Sequence, residues 1–338
     1  MSQITVIGAG AWGTGLSIVL GRKRNHNVCL WAHEEEVCES IATHHMNLLF
    51  LPGQKIPESV AATNSLEKAV RGAEIVVSVM PSHHCRRLFQ SMRPHLKPEM
   101  LFVSATKGIE EGSLLRMTEV ITEVANANGG FKARIGALSG PSFAKEVARG
   151  DPTAITFASQ DEELARRVQS EFSDPSFRVY TNKDVIGVEL GGALKNIIAI
   201  AAGVCDGLGL GHNSVAALIT RGLAEVTRLV TACGGSSETM SGLAGLGDLV
   251  LTCTGALSRN RSLGVALGRG RTLQEILSET REVAEGVRTS KSAKELAERH
   301  GIEMPITTEM VRVLYEGESP RDALQRLMTR SLKAEAAR

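Results

Sequence analysis

Aromatic side chains make up only 4% of this 338-residue sequence, with two Trp and two Tyr, so no aromatic-basic stripe of the kind that stacks nucleic-acid bases can form. A charge excess of either sign is also missing. The 38 basic and 37 acidic side chains leave a formal +1, so no global field draws the chain to nucleic acid or to an anionic membrane, and any anion site must be local. Six cysteines (Cys29, Cys38, Cys85, Cys205, Cys233, Cys253) lack C-x-x-C spacing and read as small reduced core residues, not as a disulfide or zinc framework. His83-His84-Cys85 is the one cluster that suggests a metal; its adjacent side chains diverge and no carboxylate follows at ligand spacing, so no metal is expected. Met1-Ser2-Gln3 leads straight into an apolar strand without a basic n-region and apolar h-region, which implies a cytoplasmic protein. The longest apolar segment, Ile186 to Cys205, contains Glu189, Lys195 and several glycines, and reads as a buried helix instead of an integral membrane segment. There is no internal repeat and no low-complexity tract.

What is present begins at once. Ile4 to Ile7 reads as a strand, Gly8-Ala9-Gly10-Ala11-Trp12-Gly13 as a glycine-rich turn, and Thr14 to Leu20 as a helix. In that order Gly8 permits the turn, Gly10 admits a pyrophosphate, Gly13 lets the helix pack closely, and the helix N-terminus faces the phosphates of a dinucleotide. Further strands are expected at 27–32, 74–80, 101–105, 135–139, 153–157 and 177–180, with helices between them such as 114–127 and 161–172. This alternation predicts a parallel, doubly wound sheet, with Pro81-Ser82, Thr106-Lys107-Gly108 and Gly140-Pro141-Ser142 at the carboxyl ends of strands, where ligands bind. Strand signals stop at Asp184, and helices are expected at 184–203, 214–231, 272–279 with a Thr-x-x-Glu capping box, 288–299 and 307–315. The fold class is therefore α/β: a Rossmann-type sheet over 1–183 followed by an all-α substrate-binding unit over 184–338.

Lys195 lies in the apolar run Gly191 to Ile200, and burial lowers a lysine pKa toward the range useful for proton transfer. Gly242 to Thr254 is the next rich stretch. Its glycines let backbone approach a ligand, and Asp248 offers a counter-charge for a lysine. Ser258-Arg259-Asn260 combines a hydroxyl, a guanidinium, an amide and helix-start N–H groups, which suits a phosphate.

At these residues the chain resembles the NAD(P)-dependent glycerol-3-phosphate dehydrogenases of the bacterial biosynthetic type. The resemblance runs through Gly8-Ala9-Gly10, Ala105 to Gly108, Ser139 to Ala144, Leu194-Lys195-Asn196, Gly245 to Thr254, Ser258-Arg259-Asn260, Val283 to Gly286 and Glu303 to Ile306. It implies a homodimer that passes a hydride between NADH or NADPH and dihydroxyacetone phosphate, for glycerophospholipid synthesis. It implies Lys195 as general acid/base, with Lys107, Gly140, Ser142, Asp248, Ser258, Arg259 and Asn260 completing the substrate site. The cofactor contacts it implies are Trp12, His33, Lys107, Ala144, Arg259, Val283 and Glu285, beside the turn residues Gly8, Gly10, Ala11 and Gly13. Thr252 is expected to add an oxygen near the reacting carbon. The family turn usually carries serine where this chain has Ala11, which removes one hydroxyl contact. Two alternatives stand: a dehydrogenase of the 6-phosphogluconate or 3-hydroxyisobutyrate type, which shares the helical second domain but recognises a carboxylate, and a non-catalytic dinucleotide sensor.

The residue about 20 positions past the turn, where an acid would hold a ribose 2′-hydroxyl and repel a 2′-phosphate, is His33. Use of both NADH and NADPH is therefore expected, and His33→Asp should shift the ratio of kcat/KM values toward NADH. A several-hundredfold NADH preference in the unmodified protein would instead assign the gate to Glu34.

Overall fold

The computed structural model describes residues 1–279, 284–332 and 334–335. Among the described residues there are ten strands: β1 (Ser2–Ile7), β2 (His26–Trp31), β3 (Met46–Asn47), β4 (Leu51–Lys55), β5 (Val60–Thr63), β6 (Ile75–Ser78), β7 (Leu101–Ser104), β8 (Arg134–Ser139), β9 (Thr153–Ala158) and β10 (Phe177–Asn182). Eight form one sheet in the order β10-β9-β8-β7-β6-β1-β2-β5, and β3 with β4 makes a separate antiparallel pair. Around the sheet lie α1 (Ala11–Gly21), α2 (Glu35–His44), α3 (Leu66–Val70), α4 (Cys85–Met92), α5 (Met117–Asn126), α6 (Ala144–Arg149) and α7 (Glu162–Phe172). One face packs Ile4, Val6, Val77 and Phe157 against Leu16, Leu20 and Val168; the other packs Ile7, Val76 and Phe102 against Val70, Phe89 and Val120. Helices on both faces explain why β6 is buried at every position, since a strand covered on both sides has no face left for polar residues.

The expected sheet needs one correction: β8 and β9 pair antiparallel, while the other pairs in the large sheet are parallel. After β8 the chain does not cross back over the sheet. Ala144, at the start of the short α6, docks on α1, where a Cβ on Gly15 would meet the Ala144 carbonyl oxygen at 3.3 Å. The chain therefore stays at the edge where β8 ended, and β9 runs back from there. A second difference lies at Leu114, expected to open a helix: its φ of +61° is left-handed, and α5 begins at Met117.

Beyond β10 the described structure is helical: α8 (Val185–Gly207), α9 (His212–Ala232), α10 (Ser237–Met240), a π turn (Leu243–Gly247), α11 (Asp248–Thr254), α12 (Arg259–Gly268), α13 (Leu273–Ser278), α14 (Glu285–Arg299), α15 (Pro305–Tyr315) and α16 (Pro320–Met328). Both bonds of the expected capping box form, between Thr272 and Glu275. By length and composition α8 could cross a membrane, but residues 187–205 are buried against the surrounding helices, which is the environment of a core helix. Ile109 and Leu114, from the loop between β7 and α5, enter the same apolar core.

Helix α12 lies against α8 through glycine. A Cβ on Gly203 would sit 2.0 Å from the Arg261 carbonyl oxygen, and one on Gly264 would sit 2.0 Å from that of Ile200. Gly207 and Gly268 repeat the pattern one turn on. Alanine is favoured over glycine in a helix by about 1 kcal/mol, yet overpacking costs about 1–3 kcal/mol and here the obstacle is backbone, which cannot swing aside. Gly264→Ala should therefore lower the denaturation midpoint in urea, and an unchanged or raised midpoint would show that the two helices separate freely.

Candidate active site

Asp248 opens α11 directly after the π turn, and only 1% of its surface is exposed. Lys195, in the middle of α8 and 6% exposed, donates from Nζ to Asp248 Oδ1 at 2.6 Å and to Thr252 Oγ1 at 2.6 Å. Thr252 can accept that bond because its hydroxyl proton goes to the Asp248 backbone carbonyl at 2.6 Å. From the other domain, Lys107 Nζ donates to Asp248 Oδ2 at 2.8 Å. One carboxylate thus holds two ammonium groups, and the four residues expected to act together do meet. Burial pushes the Lys195 ammonium down to about 8, with Lys107 adding to the shift and Asp248 opposing it. Burial would raise Asp248, but Lys107 and Lys195 outweigh it and hold its carboxyl below the ordinary range. An ammonium has three donors, so Lys195 keeps one N–H for a further oxygen.

Glycine makes the approach possible. A Cβ on Gly192 would lie 2.5 Å from Ser139 Oγ and 3.8 Å from Lys107 Cγ, so α8 passes the end of β8 and the Lys107 stem at backbone distance. Gly140 has φ +147° and sits against Ile155, and its carbonyl accepts the Ser142 hydroxyl at 2.9 Å. Phe143 packs where a side chain on Gly255 would be, which holds this loop on the end of α11.

The remaining expected substrate residues are placed differently from one another. Ser258 is the N-cap of α12 and accepts from the Arg261 N–H, which leaves its hydroxyl proton to give. Asn260 accepts from the Gly286 N–H at 3.0 Å and donates to Asn196 Oδ1 at 3.0 Å, stitching α12 to α14 and α8. Arg259 is exposed in the first turn of α12, and its charge acts on Glu285.

The glycine-rich turn fits a dinucleotide. Gly8 has φ +119°, and its missing Cβ would meet the Val79 and Met80 backbone at 3.0 Å; a Cβ on Gly13 would lie 1.8 Å from the Gly8 carbonyl oxygen. Around the corresponding position of Gly10 nothing among the described residues lies within 4 Å, the open space a pyrophosphate needs. Trp12 Nε1, at the start of α1 just after Ala11, is buried without a partner among the described residues. His33 is exposed at the end of β2, and Ala144 is half-buried beside Gly15. Val283 lies outside the described residues. Among the described residues no group of three His, Cys, Asp or Glu side chains is placed to hold a metal ion.

Sequence reading missed Asn47, whose Nδ2 donates to the Ala9 carbonyl and to Thr14 Oγ1, both at 2.8 Å, fixing the turn from outside. Nothing in its local sequence signals that contact. It also missed the bridge from Glu189 in α8 to the Thr118 N–H at 2.9 Å and to Arg116 at 2.7 Å, which ties the two domains together.

A dinucleotide-type sheet joined to a helical unit, with a buried lysine-carboxylate-lysine bridge between them, defines an NAD(P)-dependent oxidoreductase acting on a CH–OH group. Residues 3–165 match the model for the N-terminus of NAD-dependent glycerol-3-phosphate dehydrogenase, and residues 184–325 match that for its C-terminus. The chain belongs to that family. It is 66% identical over 331 residues to the glycerol-3-phosphate dehydrogenase [NAD(P)+] of Koribacter versatilis, covering 98% of each chain. With the enzyme of the same name from Citrifermentans bemidjiense it shares 54% over 333 residues, again covering 98% of each. The crystal structure of glycerol-3-phosphate dehydrogenase from Coxiella burnetii superposes with a TM-score of 0.91 at 40% identity, covering 97% of this chain and 99% of that one. Of the three readings left open by the sequence, family membership selects the first.

With Lys195 as the expected proton donor to a ketone, kcat/KM should fall as pH rises through about 8. Asp248→Asn removes the charge that raises Lys195, so the fall should move to lower pH. A break that stays in place or moves upward in this variant would detach the titration from Lys195.

Proposed function

We propose that this chain reduces the ketone carbon of dihydroxyacetone phosphate with NADH or NADPH, reversibly, to give sn-glycerol 3-phosphate for glycerophospholipid synthesis. The observation that carries the reading is the buried bridge in which Asp248 holds Lys195 and Lys107 from opposite domains. Two ammonium groups and one carboxylate leave a local excess of one positive charge, which favours an anionic substrate and stabilises a developing alkoxide. Residues 1–183 act as the dinucleotide-binding domain and residues 184–338 as the substrate-binding domain, and the reading includes a cytosolic homodimer.

When bound, the reduced nicotinamide supplies the hydride. Gly8, Gly10, Ala11, Trp12 and Gly13 would hold its pyrophosphate side, His33 its adenosine ribose, and Lys107, Ala144, Arg259, Val283 and Glu285 the rest. Lys195 presents its third N–H to the carbonyl oxygen and gives up that proton as negative charge grows there. Asp248 and Thr252 keep the ammonium aimed, and Lys107 polarises the same oxygen. Arg259, with the hydroxyl of Ser258, the amide of Asn260, the backbone at Gly140 and the Ser142 hydroxyl once it turns from the Gly140 carbonyl, takes the phosphate and fixes the carbon between proton donor and cofactor.

Absorbance at the NADH band with dihydroxyacetone phosphate tests the reading directly. Lys195→Ala should lower kcat at least about 10²-fold, the lower range for a positioned acid, while NADH binding persists. Arg259→Ala should reduce kcat/KM for dihydroxyacetone phosphate far more than for unphosphorylated dihydroxyacetone. Absence of turnover in the unmodified protein, or near-normal turnover in folded Lys195→Ala, would overturn the assignment.

A further inference from the structure

Ser82 and Glu285 meet across the domain junction. Ser82 opens the short 3-10 turn (Ser82–His84) after β6, and Glu285 is the first residue of α14. The Ser82 backbone N–H donates to Glu285 Oε1 at 3.1 Å, and its hydroxyl donates to Oε2 at 2.8 Å. A single serine thus grips both oxygens of a carboxylate 203 positions away in the chain. Gly108, next to Lys107, makes room for the pair: a Cβ there would lie 2.4 Å from Ser82 Cβ and 3.4 Å from Glu285 Oε2. The contact also borders the cofactor turn, because Val79 and Met80, just before Pro81-Ser82, line Gly8 at 3.0 Å.

A carboxylate offers about four acceptor positions, and Ser82 occupies two of them. Both bonds require Glu285 to accept, which fixes the plane of the carboxylate and leaves the other two positions for donors on a bound molecule. We propose that Ser82 is a positioning residue for the cofactor: by clamping both oxygens it holds Glu285 in the orientation that receives the hydroxyl or amide donors of the nicotinamide half. This rests on the reading that Glu285 contacts the cofactor. Among the described residues the Ser82 hydroxyl hydrogen-bonds Glu285 alone.

NADH binding to the full-length protein, followed by nucleotide fluorescence, tests this alongside steady-state kinetics and melting temperatures. Loss of one hydrogen bond to a charged group is worth about a ten- to hundredfold change in full; Ser82→Ala keeps the backbone N–H bond and acts on the cofactor only through Glu285, so a part of that, about five- to tenfold, is expected. Ser82→Ala should therefore raise the Kd and KM for NADH about five- to tenfold with kcat within about twofold. Ser82→Cys, isosteric with a weaker donor, should fall between serine and alanine; it also serves if the alanine variant loses its fold. Glu285→Gln should weaken NADH on its own, and Ser82→Ala added to it should cost less than about a further twofold. If Glu285→Gln weakens NADH while Ser82→Ala leaves it unchanged, or if the two effects multiply in full, the positioning role is wrong. An inert Glu285→Gln would instead remove Glu285 from the cofactor site, and the inference with it.

Discussion

The site depends on one buried carboxylate. Without Asp248, Lys195 and Lys107 would be two like charges facing each other in a poorly hydrated junction, and removing one partner of a buried charge set typically costs about 3–5 kcal/mol. With it, the pKa of Lys195 is a balance: burial pulls it down, Asp248 pulls it back, and the result stays close enough to neutrality for the proton transfer proposed for it. The same carboxylate joins domains, since Lys107 comes from the loop after β7 and Lys195 from α8. The placement of the two lysines and the contact between the domains therefore rest on one carboxylate.

That carboxylate could not be placed without close backbone approach. Gly192 lets α8 pass Ser139 and the Lys107 stem, while the Gly203 and Gly264 contacts set α12, with Ser258, Arg259 and Asn260 at its start, directly on α8. The asparagine chain from Gly286 through Asn260 to Asn196 then locks three helices with groups that would otherwise be buried and unsatisfied. Among the described residues, polar contacts cross between the sheet and the helical domain at several places, among them Lys107 to Asp248, Arg116 and Thr118 to Glu189, and Ser82 to Glu285. Those named involve three separate loops or helix starts, so the relative placement of the domains is fixed about more than one axis.

Much of this was legible because local chemistry dictated it. The turn from Gly8 to Gly13 follows from backbone demands only glycine meets; β1, β2 and β6 to β10 follow from apolar runs of strand length; α8 follows from a long apolar segment; and Lys195 is conspicuous as a charge within it. The meeting of Lys195, Asp248, Lys107 and Thr252 was expected from a family likeness and not from spacing. The antiparallel β9 was not legible, because strand direction depended on α6 docking against α1, a contact with no periodic signature.

By itself, then, the sequence determined the two kinds of secondary structure, the dinucleotide turn and the identities of the charged groups, since each of these is set by neighbouring residues. Only the tertiary structure decided that Asp248 faces two lysines at once, that Asn47 braces the turn, and that Ser82 holds Glu285. Those contacts join residues far apart in the chain, and their energies depend on burial and direction, which exist only once the helices and the sheet have packed.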